Sequence, residues 1–219
     1  MRFLLNNPFE KFKMVAIFLL TGRFDMLHYK WRVYRYGLDL SLVPLDELGL
    51  SSRNANWYSD SGGPNLARVI DAIGVLKGSR VVDIGSGKGG AAFTLSETPF
   101  EEVLGVEISQ ALVHIAEANA KRLSLKSVRF VCSDARAFKD MDSFSHFYMY
   151  NPFPCTVMMD VLSNLRESLS RKPRPLTLIY KNPVCHSVIV DSGLFTAERE
   201  FVFSKRDHPF RVYFHSFHV

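Results

Sequence analysis

A handful of short strings hold the residues of this chain best suited to chemistry. The first, VVDIGSGKGG over 81–90, sets Gly85, Gly87 and Gly89 between a strand-like run and a helix-like one. Glycines at such a junction permit a tight turn and let a ligand approach backbone amides, and the start of the following helix favours negative charge. The spacing is GxGxG, one residue tighter than the dinucleotide fingerprint. Lys88 is followed by Gly89 where a phosphate-binding loop has Ser or Thr, so both nucleotide readings lose ground.

Acids follow at telling offsets. Glu107 closes the run EVLGVE, 22 residues after Gly85, where a carboxylate can accept from both hydroxyls of a ribose. Asp134 ends the next run, in CSDARAF, so Asp83, Glu107 and Asp134 stand near the ends of three successive apolar runs. Each alone reads equally as a cap or a solvated loop residue. Together they predict a ligand at the carboxyl edge of an open parallel sheet, where such sheets bind.

Two further strings repeat one device. YMYNPFP over 148–154 and YKNPVCH over 180–186 both place Asn-Pro after an apolar run. Proline fixes its own φ and drives the preceding residue out of the helical region, so the plain reading is a turn. The chemical reading makes Asn151 and Asn182 acceptor-orienting amides, Tyr150 and Phe153 pocket walls, and His186 a general base near neutrality. Tyr58 and Trp57 read as packing residues that could also line a pocket.

Taken in order, VVDIGSGKGG, GVEIS, CSDARAF and YNPF resemble the motifs of class I S-adenosylmethionine-dependent methyltransferases. With the leader YGLDLSLVPLDELGLSSRNANWY, they are similar to bacterial proteins distantly related to the histone-lysine methyltransferases of the telomeric-silencing type. The resemblance implies that S-adenosyl-L-methionine is the cofactor. Gly85 and Gly87 would then approach its methionine part, Asp83 would help hold its amino group, Glu107 the ribose and Asp134 the adenine amine. Ser86, Gly89, Ile108, Ala135 and Asn151 would line the same site. It also implies methyl transfer by direct displacement, to an amine such as a protein lysine; alternatives are a glycan, lipid-linked or small-molecule hydroxyl, or a noncatalytic cofactor-binding adaptor. In amine methylases with an NPPF-type motif, the Asn amide oxygen and the next prolyl carbonyl aim the acceptor. Phe153 departs from that pattern, standing in place of the second proline.

The elements that must position these residues alternate. Strands are expected at 80–85, 102–109, 127–134, 146–151 and 175–182, and helices at 89–97, 110–125 and 156–170. A helix after Gly62-Gly63-Pro64 leads into the first strand, and EREFVFSK and FRVYFHSFHV form a closing hairpin. The expected fold is α/β: a doubly wound, seven-stranded, mostly parallel sheet with a C-terminal antiparallel hairpin, the Rossmann-like methyltransferase fold. Residues 62–219 form that domain, and residues 1–61 an N-terminal helical extension and connector, with a helical turn at 45–48.

The net charge of +5 lies wholly within residues 1–36, interleaved with aromatics. Such a segment suits an anionic membrane surface or another polyanion; the alternative is a helical flap with its basic face in water. Its longest apolar run, Met14 to Leu20, is far short of the ~20 residues a membrane span needs, so the expectation is a cytoplasmic protein, with peripheral membrane contact left open. Cys132, Cys155 and Cys185 are widely spaced and form no CxxC, which predicts neither a disulfide framework nor a metal site, and a reducing compartment.

Overall fold

The computed structural model describes residues 24–44, 46–51, 55–205 and 207–216. Within them run α1 (Phe24–Arg35), α2 (Pro64–Ile73), β1 (Arg80–Ile84), α3 (Gly90–Leu95), β2 (Glu102–Glu107), α4 (Gln110–Arg122) and β3 (Val128–Cys132). These are followed by β4 (His146–Tyr150), α5 (Cys155–Arg171), β5 (Leu176–Lys181), α6 (His186–Asp191), β6 (Ala197–Phe201) and β7 (Phe210–His215).

The strands form one sheet in the order β3-β2-β1-β4-β5-β7-β6. The first five are parallel, and β7 enters antiparallel between β5 and β6. A central strand buried on both faces is apolar along most of its length, as Val81, Val82 and Ile84 of β1 and Phe147, Tyr148 and Met149 of β4 are. The period of two then assigns faces. Val82, Ile84, Leu104, Phe147, Met149, Leu178 and Tyr180 pack with Val157, Val161 and Leu165 of α5. Val81, Val103, Tyr148, Ile179 and Val212 pack instead with Leu66, Val69 and Ile70 of α2 and with Ala91, Ala92 and Leu95 of α3. Helices therefore cover both faces, and all five parallel strands point their carboxyl ends to one edge.

Helix ends follow local chemistry. Pro64 opens α2, where its missing N–H costs nothing, and Gly74 ends it in the left-handed region at φ 68°. Ser109 caps α4 by accepting from Leu112 N–H. The expected turn is observed over 46–49, while Leu45 lies outside the described residues.

Two expectations need correction. His186 does not sit in a loop but begins α6, a short helix of β-branched residues after Pro183 that carries no helical periodicity in sequence. Cys155 and Cys185 are disulfide-bonded, with Cα atoms 5.4 Å apart, against the expectation of three reduced cysteines. The reason is tertiary: Tyr150 pairs with Lys181 across β4 and β5, so the two Asn-Pro turns that follow carry their cysteines side by side. Cys132 is free and exposed.

The basic leader is seen in part. The run Met14 to Leu20 and the basic residues Arg2, Lys11, Lys13 and Arg23 lie outside the described residues. Helix α1 packs Tyr29 and Val33 against Leu40, Phe93 and Ala120. Phe24, Trp31 and Tyr34 of α1 and the following Tyr36 are exposed. No described helix is long and apolar enough to cross a membrane.

Candidate active site

At the carboxyl edge of the sheet lies an open cavity. The glycine turn and the starts of α3 and α5 form part of its wall, and residues 55–61 of the connector close another side. Its lining includes Gly85, Ser86, Glu107, Ile108, Asp134, Ala135, Tyr150 and Phe153 of the residues singled out by sequence, brought together from four strand ends. Asp83, Gly87, Gly89, Asn151, Asn182 and His186 are not part of the lining.

The turn is built for close approach. Gly85 has φ 77° and Gly87 φ 53°. A Cβ on Gly85 would stand 2.3 Å from Cβ of Pro152, and one on Gly87 would stand 2.1 Å from the Tyr58 ring. Lys88, which sequence left without a role, is almost wholly buried. Its ammonium donates to Asp39 Oδ1 at 2.8 Å and Ser41 Oγ at 2.9 Å, and lies over the ring of Tyr58. Asn119 adds bonds to the backbone of Asp39 and of Lys88. Lys88 thus ties the connector to the glycine turn.

Three acids stand in different states. Glu107 accepts from Gly87 N–H and Ser109 N–H, each at 2.9 Å, which aims its carboxylate along the cavity wall. Burial raises its pKa, and these amides oppose the shift. Asp83 lies deeper; burial first, and then the charge of Glu107, push its carboxyl up to about 8, so it holds a proton at neutral pH. Its Oδ2 is buried without a partner, as is Ser86 Oγ. Asp134 is half-buried, and its bond to the Arg136 guanidinium holds it below the usual carboxylate range.

Among the described residues lining the cavity, Asp60, Glu107 and Asp134 are acidic and none is Lys, Arg or His. Trp57, Tyr58, Tyr150 and Phe153 give it aromatic walls. Burial pushes the Tyr58 and Tyr150 phenols upward, so both stay protonated near neutrality. Such a space suits a cation and disfavours an anion.

The Asn-Pro strand ends behave unlike the expectation. Asn151 and Asn182 both adopt positive φ, 40° and 53°. Asn151 Oδ1 accepts from Tyr180 Oη at 3.1 Å. The carbonyls of Asn151 and Pro152 are taken by Asn56, whose Nδ2 and backbone N–H donate to them at 2.8 Å each. The oxygens expected to aim an acceptor already have donors, all from this chain. Asn182 N–H donates to the Pro209 carbonyl, within the hairpin connection.

His186 lies apart from the cavity. Its Nε2 meets Arg211 Nη1 at 3.0 Å and its Nδ1 meets Tyr213 Oη at 2.9 Å. With Glu198 Oε2 3.7 Å from Nδ1, these contacts join α6 to the β6–β7 hairpin. Among the described residues no cluster of His, Cys, Asp or Glu could hold a metal ion.

Asn56 and Asp60 are the site residues that sequence reading missed. Both lie in a connector punctuated by Asn, Ser and Gly, where no periodicity marks a face.

Residues 81–172 match the model of a family described as a methyltransferase domain. Over 98 residues the chain is 38% identical to the protein-L-isoaspartate O-methyltransferase of Thermotoga maritima, covering 43% of this chain and 31% of that protein. The matches span less than half the length of the curated relatives. In structure it is similar to an S-adenosylmethionine-dependent methyltransferase of Aquifex aeolicus, with TM-score 0.53 and 20% identity, covering 68% of this chain and 88% of that one. It is also similar to the magnesium protoporphyrin IX methyltransferase of Synechocystis, solved with bound S-adenosylmethionine. There the TM-score is 0.52 and the identity 17%, covering 69% of this chain and 76% of that one. These likenesses show the Rossmann-like methyltransferase fold.

Proposed function

We propose that this chain, whose residues 81–172 match a methyltransferase domain, is an S-adenosylmethionine-dependent methyltransferase acting on an amine. The observation that carries the reading is the cavity itself: a glycine turn, Glu107 and Asp134 on successive strand ends, and no cationic side chain among the described residues of its lining. The cofactor fits these residues, because it carries a net positive charge, a ribose diol for Glu107 and an adenine amine within the region of Asp134. When bound, it supplies a methyl group on a sulfonium, ready for displacement. The chain's part is then to align and to exclude water, which supplies most of the acceleration such a transfer needs.

The acceptor follows from what surrounds the space. Aromatic walls at Trp57, Tyr150 and Phe153, together with Asp60, Glu107 and Asp134, attract an ammonium, which gives up a proton to a carboxylate or to water before its lone pair can displace the methyl. The same acids repel a phosphate backbone, which argues against a nucleic acid. Asn56 already donates to the carbonyls of Asn151 and Pro152, so the aromatic walls share in aiming the acceptor amine. The resemblance of the sequence motifs to those of telomeric-silencing-type enzymes suggests a protein lysine as the specific form of this proposal. Exposed Phe24, Trp31 and Tyr34 beside Lys30 and Arg35 support a further contact of α1 with an anionic lipid surface, which vesicle flotation would read.

The test is incubation with radiolabelled cofactor and cell fractions. Label should pass to protein and be lost when lysines are chemically blocked. Cofactor binding without any transfer would remove the enzymatic reading and leave a binding adaptor.

A further inference from the structure

Asp60 has a setting that neither the motifs nor the fold would foretell. Tyr29 Oη, from α1, stands 3.0 Å from each of its carboxylate oxygens, and Gly62 N–H donates to Oδ1 at 3.0 Å. Both donors are neutral, and among the described residues no cation pairs with it. No described cation therefore offsets this carboxylate where it lines the cavity.

Its position is built rather than incidental. A Cβ on Gly90 would come within 2.1 Å of Asp60 Oδ1. One on Gly62 would come within 2.2 Å of the Gly90 carbonyl and 2.6 Å of Tyr29 Oη. Glycines at both positions let α1, the connector and the start of α3 close on one another with this acid between them. Burial and the Asp60 charge raise the Tyr29 phenol well above its ordinary value, so it remains a donor at any working pH.

The sheet order sets the chemistry. In the order β3-β2-β1, Asp134 follows β3 and Glu107 ends β2, while the glycine turn follows β1 and leads to Gly90, the residue that Asp60 lies against. A cofactor with its adenosine at the ends of β3 and β2 extends its amino-acid part toward Asp60. Asp83, which the family resemblance would assign to that amino group, is outside the lining and holds its own proton.

We propose that Asp60, held by Tyr29, is the counter-ion for the α-ammonium group of the cofactor's methionine moiety, so that α1 and the connector belong to the cofactor site. This rests on the methyltransferase reading. The test measures Kd for three ligands, S-adenosylmethionine, S-adenosylhomocysteine and methylthioadenosine, on the full chain and on Asp60→Asn. The first two carry the α-ammonium group and the third lacks the amino-acid part altogether. The Kd of the first two should rise about tenfold or more, the range of a hydrogen bond to a charged group, with methylthioadenosine unchanged. Tyr29→Phe should give a smaller loss with the same selectivity. Equal weakening of all three ligands would mean a structural role, and loss confined to S-adenosylmethionine would mean that Asp60 senses the sulfonium; either overturns the assignment. A wild-type chain that binds none of the three would instead overturn the methyltransferase reading beneath it.

Discussion

Replacing Asp83 by Asn should change how stability responds to pH. In the folded chain the carboxyl is pushed up to about 8, by burial first and by Glu107 second. In the unfolded chain an Asp titrates near ~3.9. The raised folded value means that the native state binds the proton more tightly, so this group favours folding at low pH. Between about pH 4 and pH 8 the unfolded chain has lost the proton and the native chain keeps it, and stability falls as pH rises. Roughly four pH units at ~1.36 kcal/mol each give a loss on the order of 5 kcal/mol, complete above pH 8. Asn mimics the protonated acid in shape and charge, so Asp83→Asn should not show this loss. At ~2–4 °C per kcal/mol for a chain of this size, the Tm of the variant relative to wild type should climb by on the order of 10 °C from pH 5 to pH 8.5. Subtracting the two curves removes groups shifted the other way, such as Asp134 and Asp39, whose lowered values act at more acid pH. Differential scanning calorimetry of cofactor-free protein in matched buffers measures it. A difference curve flat across that range would show that Asp83 is neither buried as described nor protonated.

The turn and the disulfide give further tests. Gly85→Ala forces a side chain into positive φ and against the Pro152 ring, which Asn56 holds from behind. It should cost about 2 kcal/mol or more and lower Tm by roughly 5 °C, read by thermal denaturation; a silent substitution would mean that the turn and the Asn-Pro strand end are not in contact. Reducing Cys155–Cys185, whose partners are 30 residues apart in sequence, should cost roughly 3 kcal/mol by the chain-entropy account. Thermal scans with and without reductant check it, and ready alkylation of both thiols in native, unreduced protein would contradict the bond.

What could be read from sequence divides along a physical line. The strands ending at Asp83, Glu107 and Asp134 were legible because a doubly covered parallel strand must be apolar almost throughout, and because ligands gather at the carboxyl edge. The hairpin was legible from its turn residues. The insertion of β7 between β5 and β6, and the adjacency of β4 to β5, are set by packing across the sheet. That adjacency joined Cys155 to Cys185, and the place of β7 drew His186 to Arg211 and Tyr213 instead of to the cavity. Asn56 and Asp60 escaped notice for a related reason. Their meaning comes from partners at Asn151, Pro152 and Tyr29, and nothing local in NANWYSDS announces those contacts.

The central claim, that the cavity holds S-adenosylmethionine with its ribose on Glu107, is tested most directly by calorimetric titration of the cofactor into wild type and Glu107→Gln. Two hydrogen bonds from a diol to a carboxylate are each worth ~1.5–3 kcal/mol, so wild type should show saturable one-site binding and the variant a loss of at least about tenfold. Equal affinity in the two proteins, or no binding to wild type, would contradict it.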